Sequence, residues 1–252
     1  MSKILSICSL IIICTTLNVS AQLTAFMAKS DYIKSNHKMG ITEITQSGSA
    51  VQVTASKYDD IGQILTSIDI SFSEYDADEE PEMLFLNCGS ATEVAASDLQ
   101  KFVENGGTLY ASDLTNDLLE DAFPNMFKFT TNGEEGEVEA EIVNEELRNI
   151  LGEKMDIHFD LGNWAVLHEI KRGKVLMQDY HTQRPLMVVV PYGRGRIYYT
   201  CFHNHQQPSA QEEDLLKLLV AKQIADIVEQ PLSDTAQAMG IDVSKIKSRA
   251  TN

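Results

Sequence analysis

The sequence predicts an α/β fold: a doubly wound, mainly parallel sheet followed by a strand-rich hairpin and a closing helix. Three observations predict it. Residues 83–86 (Met83, Leu84, Phe85, Leu86) are apolar without interruption, as in a central strand covered on both faces. Residues 98–111 then run from a helix through Gly106-Gly107 into a second strand, completing a βαβ unit whose crossover is right-handed and whose strands are parallel. Residues 186–202 hold two apolar strands around Pro191-Tyr192-Gly193-Arg194-Gly195, the pattern of a hairpin.

The remaining elements follow in chain order. Residues 22–49 are weakly patterned and form a lead-in segment. Residues 51–54 alternate at strand period. A helix is expected over 58–68, capped by Asp59 or Asp60, with Ile61, Ile64, Leu65 and Ile68 on one stripe. A short strand over 70–75 leads to the acidic loop 76–82. The strand that begins at Met83 ends at Gly89, and the helix over 98–105 turns Leu99, Phe102 and Val103 inward before Gly106-Gly107 stops it. After the strand 108–111 comes a helix over 114–123, broken by Pro124. Residues 130–152 read as an acidic insertion with a short strand and helix. Strands over 156–159, 164–169 and 175–178 precede the hairpin, a helix over 211–228 closes the domain, and 231–252 is a polar tail.

The start of the chain carries an export signal. Lys3 is followed by an apolar run over 5–16, inside the roughly 7 to 15 residues of a signal core, and Val19-Ser20-Ala21 is a small-residue exit. The run is short of the about 20 residues that cross a bilayer. Cleavage after Ala21 predicts a secreted or periplasmic protein that is not inserted in a membrane, organised as signal 1–21, lead-in 22–49, α/β domain 50–230 and tail 231–252. Of the 4 cysteines, cleavage removes Cys8 and Cys14, leaving Cys88 and Cys201, too few for a disulfide framework. Whether those two bridge depends on a Cα separation under about 7 Å. The net charge of -17 and the lack of a basic stripe exclude a nucleic-acid partner and adhesion to anionic lipid. The acidic runs 76–82 and 134–146 lack the alternating Asp/Asn pattern of a calcium loop and read as solvated faces.

Three segments carry a family resemblance: Met83 through Cys88, Asp98 through Tyr110 with its Gly-Gly, and Pro185 through His203. Together they resemble the class I glutamine amidotransferase-like superfamily, closest to its ThuA-like, non-amidotransferase branches, over residues 50–228. The resemblance implies a flavodoxin-like sheet. In the catalytic branch it also implies a GxCxG nucleophile elbow, where a strained turn lifts a thiol over a helix N-terminus. The matching stretch here, Leu109-Tyr110-Ala111-Ser112-Asp113-Leu114-Thr115, has neither the Cys nor the flanking glycines, and its tight turn is not expected to form. The late His of the family matches His203.

The ligand-binding candidates are therefore Asn87, Cys88, Ser112, Asp113, His203 and His205, at the ends of parallel strands where α/β folds bind ligands. Catalytic residues are unassigned, with Cys88, Asp113 and His203 as candidates against a plain reading of buried thiol and polar sheet mouth. His203 and His205 share a strand face, but no third ligand has metal spacing, so no metal and no cofactor is assigned. Gly193 and Gly195 join two strands, so they form a hairpin turn and not a phosphate loop. Two functions remain open. The favoured one is an exported, non-catalytic binding module for a protein or small ligand; the alternative is a saccharide-acting hydrolase or isomerase of the ThuA-like kind, with His203 as acid or base.

Overall fold

The computed structural model describes residues 39–203 and 209–250. The signal-peptide expectation for 1–21, most of the lead-in segment and the candidate His205 lie outside the described residues. After a short helix α1 (Ile41–Gln46) the chain alternates strand and helix: β1 (Val51–Val53), α2 (Ile61–Ser67), β2 (Ser73–Glu74), β3 (Met83–Leu86), α3 (Ala96–Glu104) and β4 (Thr108–Ser112). A 3-10 turn (Asp113–Thr115) leads into α4 (Asn116–Ala122). Next come β5 (Phe127–Thr131), β6 (Gly136–Ile142), α5 (Glu145–Leu151), β7 (Lys154–Phe159), β8 (Ala165–Ile170), β9 (Lys174–Asp179), β10 (Pro185–Tyr192) and β11 (Gly195–Thr200). Three helices close the chain: α6 (Ala210–Val228), α7 (Leu232–Ala238) and α8 (Val243–Ala250).

Nine strands form one sheet in the order β2-β1-β3-β4-β11-β10-β9-β6-β7, and β5 pairs with β8 in a separate ribbon. The fold is mixed α/β, and its sheet corrects the expectation of a mainly parallel one. The pairs from β2 through β1, β3 and β4 to β11 are parallel. Those from β11 through β10, β9 and β6 to β7 are antiparallel. Short turns make the β9–β10 and β10–β11 neighbours antiparallel, whereas the parallel pairs of the first half are joined by longer helical crossovers. Every residue of β3 and β4 is buried, as the unbroken apolar run requires.

The glycines of the last hairpin are required by packing. A Cβ on Gly195 would lie 2.2 Å from the Gly107 carbonyl oxygen and 2.3 Å from that of Val103. Gly193 has φ +56°, and its Cβ would meet Glu104 Cα at 2.5 Å. The β10–β11 turn thus seats on the C-terminal end of α3, which aligns β11 beside β4. Helix α6 is fixed at its start by a capping box: Ser209 Oγ accepts from the Glu212 N–H, and Glu212 accepts from the Ser209 N–H, both at 3.1 Å. The other Glu212 oxygen accepts from the His158 N–H at 2.8 Å, tying the helix to β7.

Two segments depart from their expected form. The acidic run is built into the main sheet as β6, because Ala140 and Ile142 are buried while Glu137, Glu139 and Glu141, alternating with the apolar residues, are not. The polar tail folds into α7 and α8, whose Leu232, Ala236 and Ile246 are buried. Both helices pack on α6. Among the described residues, no helix is long and apolar enough to cross a membrane.

Candidate functional site

Strand register assembles the site. Leu86 lies opposite Ala111, and Thr200 lies opposite Ser112, so the three neighbouring parallel strands end level with one another. The next residues of those strands, Asn87-Cys88, Asp113 and Cys201 through His203, leave the sheet at its C-terminal edge, where open α/β sheets place their ligands. Asp113 is the turning point. It has φ +36°, a left-handed value that a non-glycine residue adopts only at a cost, and Asp is among the few types that tolerate it. The tight strand-to-helix turn that the sequence did not predict is therefore present. Its strain is held by the Tyr199 hydroxyl, which donates to the Asp113 carbonyl oxygen at 2.9 Å.

The Asp113 side chain is the centre of a buried network. Its Oδ1 accepts from the Ala165 N–H at 2.7 Å. Its Oδ2 accepts from His203 Nε2 at 3.0 Å and from the Cys88 thiol at 3.6 Å. The second nitrogen of the same imidazole, Nδ1, meets Asp160 Oδ1 at 3.0 Å. His203 is thus held between two carboxylates, one on the elbow after β4 and one just past β7. Behind them Asp59 accepts from the Cys88 N–H at 2.7 Å and from the Ser112 hydroxyl at 2.5 Å, fixing both strand ends.

Of the residues expected at the site, Cys88, Asp113 and His203 converge directly, and Ser112 joins them through Asp59. Asn87 faces elsewhere. Its Oδ1 accepts from the Ile61 N–H at 3.0 Å and its Nδ2 donates to the Thr54 carbonyl oxygen at 2.8 Å, joining β1 to the first turn of α2. Two members were missed. Asp59 reads in sequence as a helix cap, a task that Asp60 performs, and Asp160 stands alone in a loop with no local pattern around it.

Burial and charge set the protonation states. Burial works against the imidazolium of His203, but its hydrogen bond to Asp113 and its contact with Cys88 outweigh that and push its pKa up to about 11. With both nitrogens protonated, both can donate, as a His between two carboxylates requires. Burial raises the Cys88 thiol, His203 opposes that rise and the Asp113 charge adds to it. Cys201 is buried to the same degree and pushed up to about 12. Both cysteines are free, so no bridge joins them. One donor atom each from Cys88, Asp113 and His203 lie within 4.8 Å of one another, a set that a soft divalent ion accepts. Here hydrogens bind the set together, and a metal would have to displace the protons that burial and Asp113 hold on Cys88 and His203.

No family model matches the chain, and no curated protein matches it. Solved structures do. A GMP synthase subunit from Thermoplasma acidophilum superposes with a TM-score of 0.50 at 9% identity, covering 72% of this chain and 98% of that one. The chain has the class I glutamine amidotransferase-like fold. A ThuA-like protein from Bacteroides uniformis gives a TM-score of 0.49 at 11% identity over 73% of this chain and 92% of its own. A β-galactosidase from Bacillus circulans sp. alkalophilus gives 0.46 at 14% identity over 73% of this chain. The chain spans 32% of the length of that β-galactosidase.

Proposed function

We propose that the chain is a hydrolase in which Asp113 is the attacking carboxylate, His203 the acid and base, and Asp160 the group that orients His203. One observation carries this: a non-glycine residue at φ +36° on a strand-to-helix turn meets an imidazole whose other nitrogen is held by a second carboxylate. Nucleophile, base and orienting group in hydrogen-bond sequence are the logic of a catalytic triad, which is recognised by geometry and roles and not by chain order. The elbow resembles that of the amidotransferases with a carboxylate standing for the thiol. Cys88, beside it, is held as a thiol by burial and serves as a donor to Asp113.

The charge balance orders the steps. In the resting state His203 is an imidazolium and acts as the acid that protonates a leaving group. Once Asp113 is esterified its charge is gone, and the interaction that raised His203 goes with it. His203, now neutral, is free to take a proton from water, and Asp160 keeps the ring in place. One residue thus serves both half-reactions, and Asp113 sets which role it plays.

A second reading is favoured by burial. Cys88, Asp113 and His203 are only 0%, 3% and 6% exposed, so the network also suits a fixed core beneath a binding surface. On that reading the domain is a non-catalytic module for a protein or a small ligand such as a saccharide. Both readings keep the sequence expectations of export after cleavage at Ala21 and of a doubly wound sheet. The grouping of α1 and α2 with α6, and of α3 with α4, supports the latter.

The two readings separate in one screen. Wild-type protein and Asp113→Asn are assayed on chromogenic aryl glycosides, aryl esters and epoxides, with melting temperatures measured in parallel. Hydrolysis that falls by roughly a thousandfold or more in a folded Asp113→Asn supports the triad. Hydrolysis by neither protein, with saturable binding of a saccharide to both, supports the binding module instead.

A further inference from the structure

We propose that this site takes an uncharged substrate presenting an electrophilic saturated carbon next to an apolar group, an inference that rests on the triad reading above. Three observations lead to it.

The first is a rim. Six large hydrophobic side chains are exposed among the described residues, and three of them, Tyr58 (44%), Leu114 (40%) and Leu161 (51%), each sit next in sequence to a site aspartate: Asp59, Asp113 or Asp160. Consecutive Cα atoms are about 3.8 Å apart, so these side chains start beside the network and not at a distance from it. The Tyr58 ring also reaches over the end of β3, where a Cβ on Gly89 would meet its Cδ2 at 2.6 Å. Exposed apolar groups scattered singly need no explanation, but three of them each next in sequence to a different site aspartate suit a ligand surface.

The second is charge. The cluster itself sets three carboxylates, Asp59, Asp113 and Asp160, against one imidazolium, within a chain of net charge -17. An anionic group would meet repulsion within the cluster itself, with Lys57, whose ammonium lies 5.0 Å from the Tyr58 ring, as a cation beside that rim residue. The third is the nucleophile. A carboxylate attacking an amide gives an anhydride, which is more reactive than the amide it came from. Attack on a saturated carbon gives an ordinary ester that water can cleave.

For an epoxide the atoms balance as follows. An Asp113 oxygen bonds to a ring carbon, the ring C–O bond breaks, and the freed oxygen takes the His203 proton. Water then adds to the ester carbonyl of Asp113, and the ester C–O bond breaks. One water proton goes to His203 and the other to the departing alcohol, releasing a diol and restoring Asp113 and the imidazolium.

The test uses para-nitrophenyl glycidyl ether against its para-carboxyphenyl analogue, with the full chain, acid quenching and peptide mapping. The expected result is a single adduct on Asp113, diol release, absence of both in folded Asp113→Asn, and a rate for the neutral ether at least about tenfold above that for the anion. Leu161→Ser, at an exposed position, should raise the half-saturating concentration more than it lowers the maximal rate. Equal labelling of Asp113 by the two ethers, or no effect of Leu161→Ser, would overturn the substrate assignment and leave the triad standing. Absence of any Asp113 adduct with either ether would also overturn the substrate assignment; the triad itself falls if folded Asp113→Asn hydrolyses the aryl glycosides and aryl esters as fast as the wild type.

Discussion

His203→Gln is the most informative single substitution, because the structure fixes the sign of its effect and the groups that cause it. The imidazolium has an ordinary pKa of 6.5 and is raised to about 11 in the fold by Asp113 and Cys88, against the opposing effect of burial. The folded protein therefore keeps a proton that the unfolded chain releases. The stability this contributes is fully present below about pH 6.5 and is lost as the pH rises toward about 11. Within that window one bound proton makes stability fall with rising pH, so between about pH 7 and about pH 9 the wild type should lose on the order of 3 kcal/mol from this source. The variant has no such proton and should lack this part of the slope. At neutral pH it leaves Asp113 and Asp160 without their shared cation. Breaking a buried pair in this way costs about 3–5 kcal/mol, or roughly 6–20 °C in melting temperature for a domain of this size. Urea midpoints for both proteins, taken across that pH range, read the effect. Parallel pH dependences in wild type and variant would refute the charged, two-carboxylate setting of His203.

Three further outcomes follow from the same geometry. Tyr199→Phe removes the hydroxyl that holds the Asp113 carbonyl and should lower stability by about 1–2 kcal/mol in denaturant titration, with a larger loss of whatever turnover the site supports. Gly195→Ala forces a methyl group against the Gly107 and Val103 carbonyls and should destabilise by about 3 kcal/mol, whereas alanine at Gly48, which meets nothing within 4 Å, should be close to neutral. Cys88 and Cys201, both free, fully buried and raised in pKa, should resist a thiol reagent at neutral pH until the protein is unfolded; fast reaction of Cys88 in the native state would contradict its role as a protonated donor.

Much of the scaffold was legible in the chain because its signals are local. The run Met83 to Leu86, the Gly-Gly after α3 and the turn before β11 each state their conformation within a few residues. Strand β6 was harder to read because its alternation, Glu-Val-Glu-Ala-Glu-Ile, is set in an acidic run that suggests solvent, although a period of two was there to be seen. Helices α7 and α8 bury few apolar side chains each and depend on α6 for a partner, which no local window reveals.

The site divides along the same line. Cys88, Ser112, Asp113 and His203 could be nominated because strand ends can be read from sequence. Their convergence could not, since it depends on the β3–β4–β11 register. Asp160 comes from the far side of the sheet order, past β7, and nothing in its neighbourhood announces a partner 43 residues away. The elbow was discounted for want of glycines. Asp113 adopts φ +36° without them because the Tyr199 hydroxyl, the Ala165 N–H and His203 all hold it there, a tertiary override of local preference.

The central claim is that the Asp113 carboxylate forms and loses a covalent bond during turnover. The measurement that tests it most directly is a single turnover of para-nitrophenyl glycidyl ether in heavy-oxygen water, with enzyme in excess, followed by mass analysis of the peptide containing Asp113 and of the diol. If water cleaves an ester at the Asp113 carbonyl, the heavy oxygen appears in the Asp113 carboxylate and the diol stays light. A heavy diol with an unlabelled Asp113 would mean that water attacks the substrate directly, and would contradict the account.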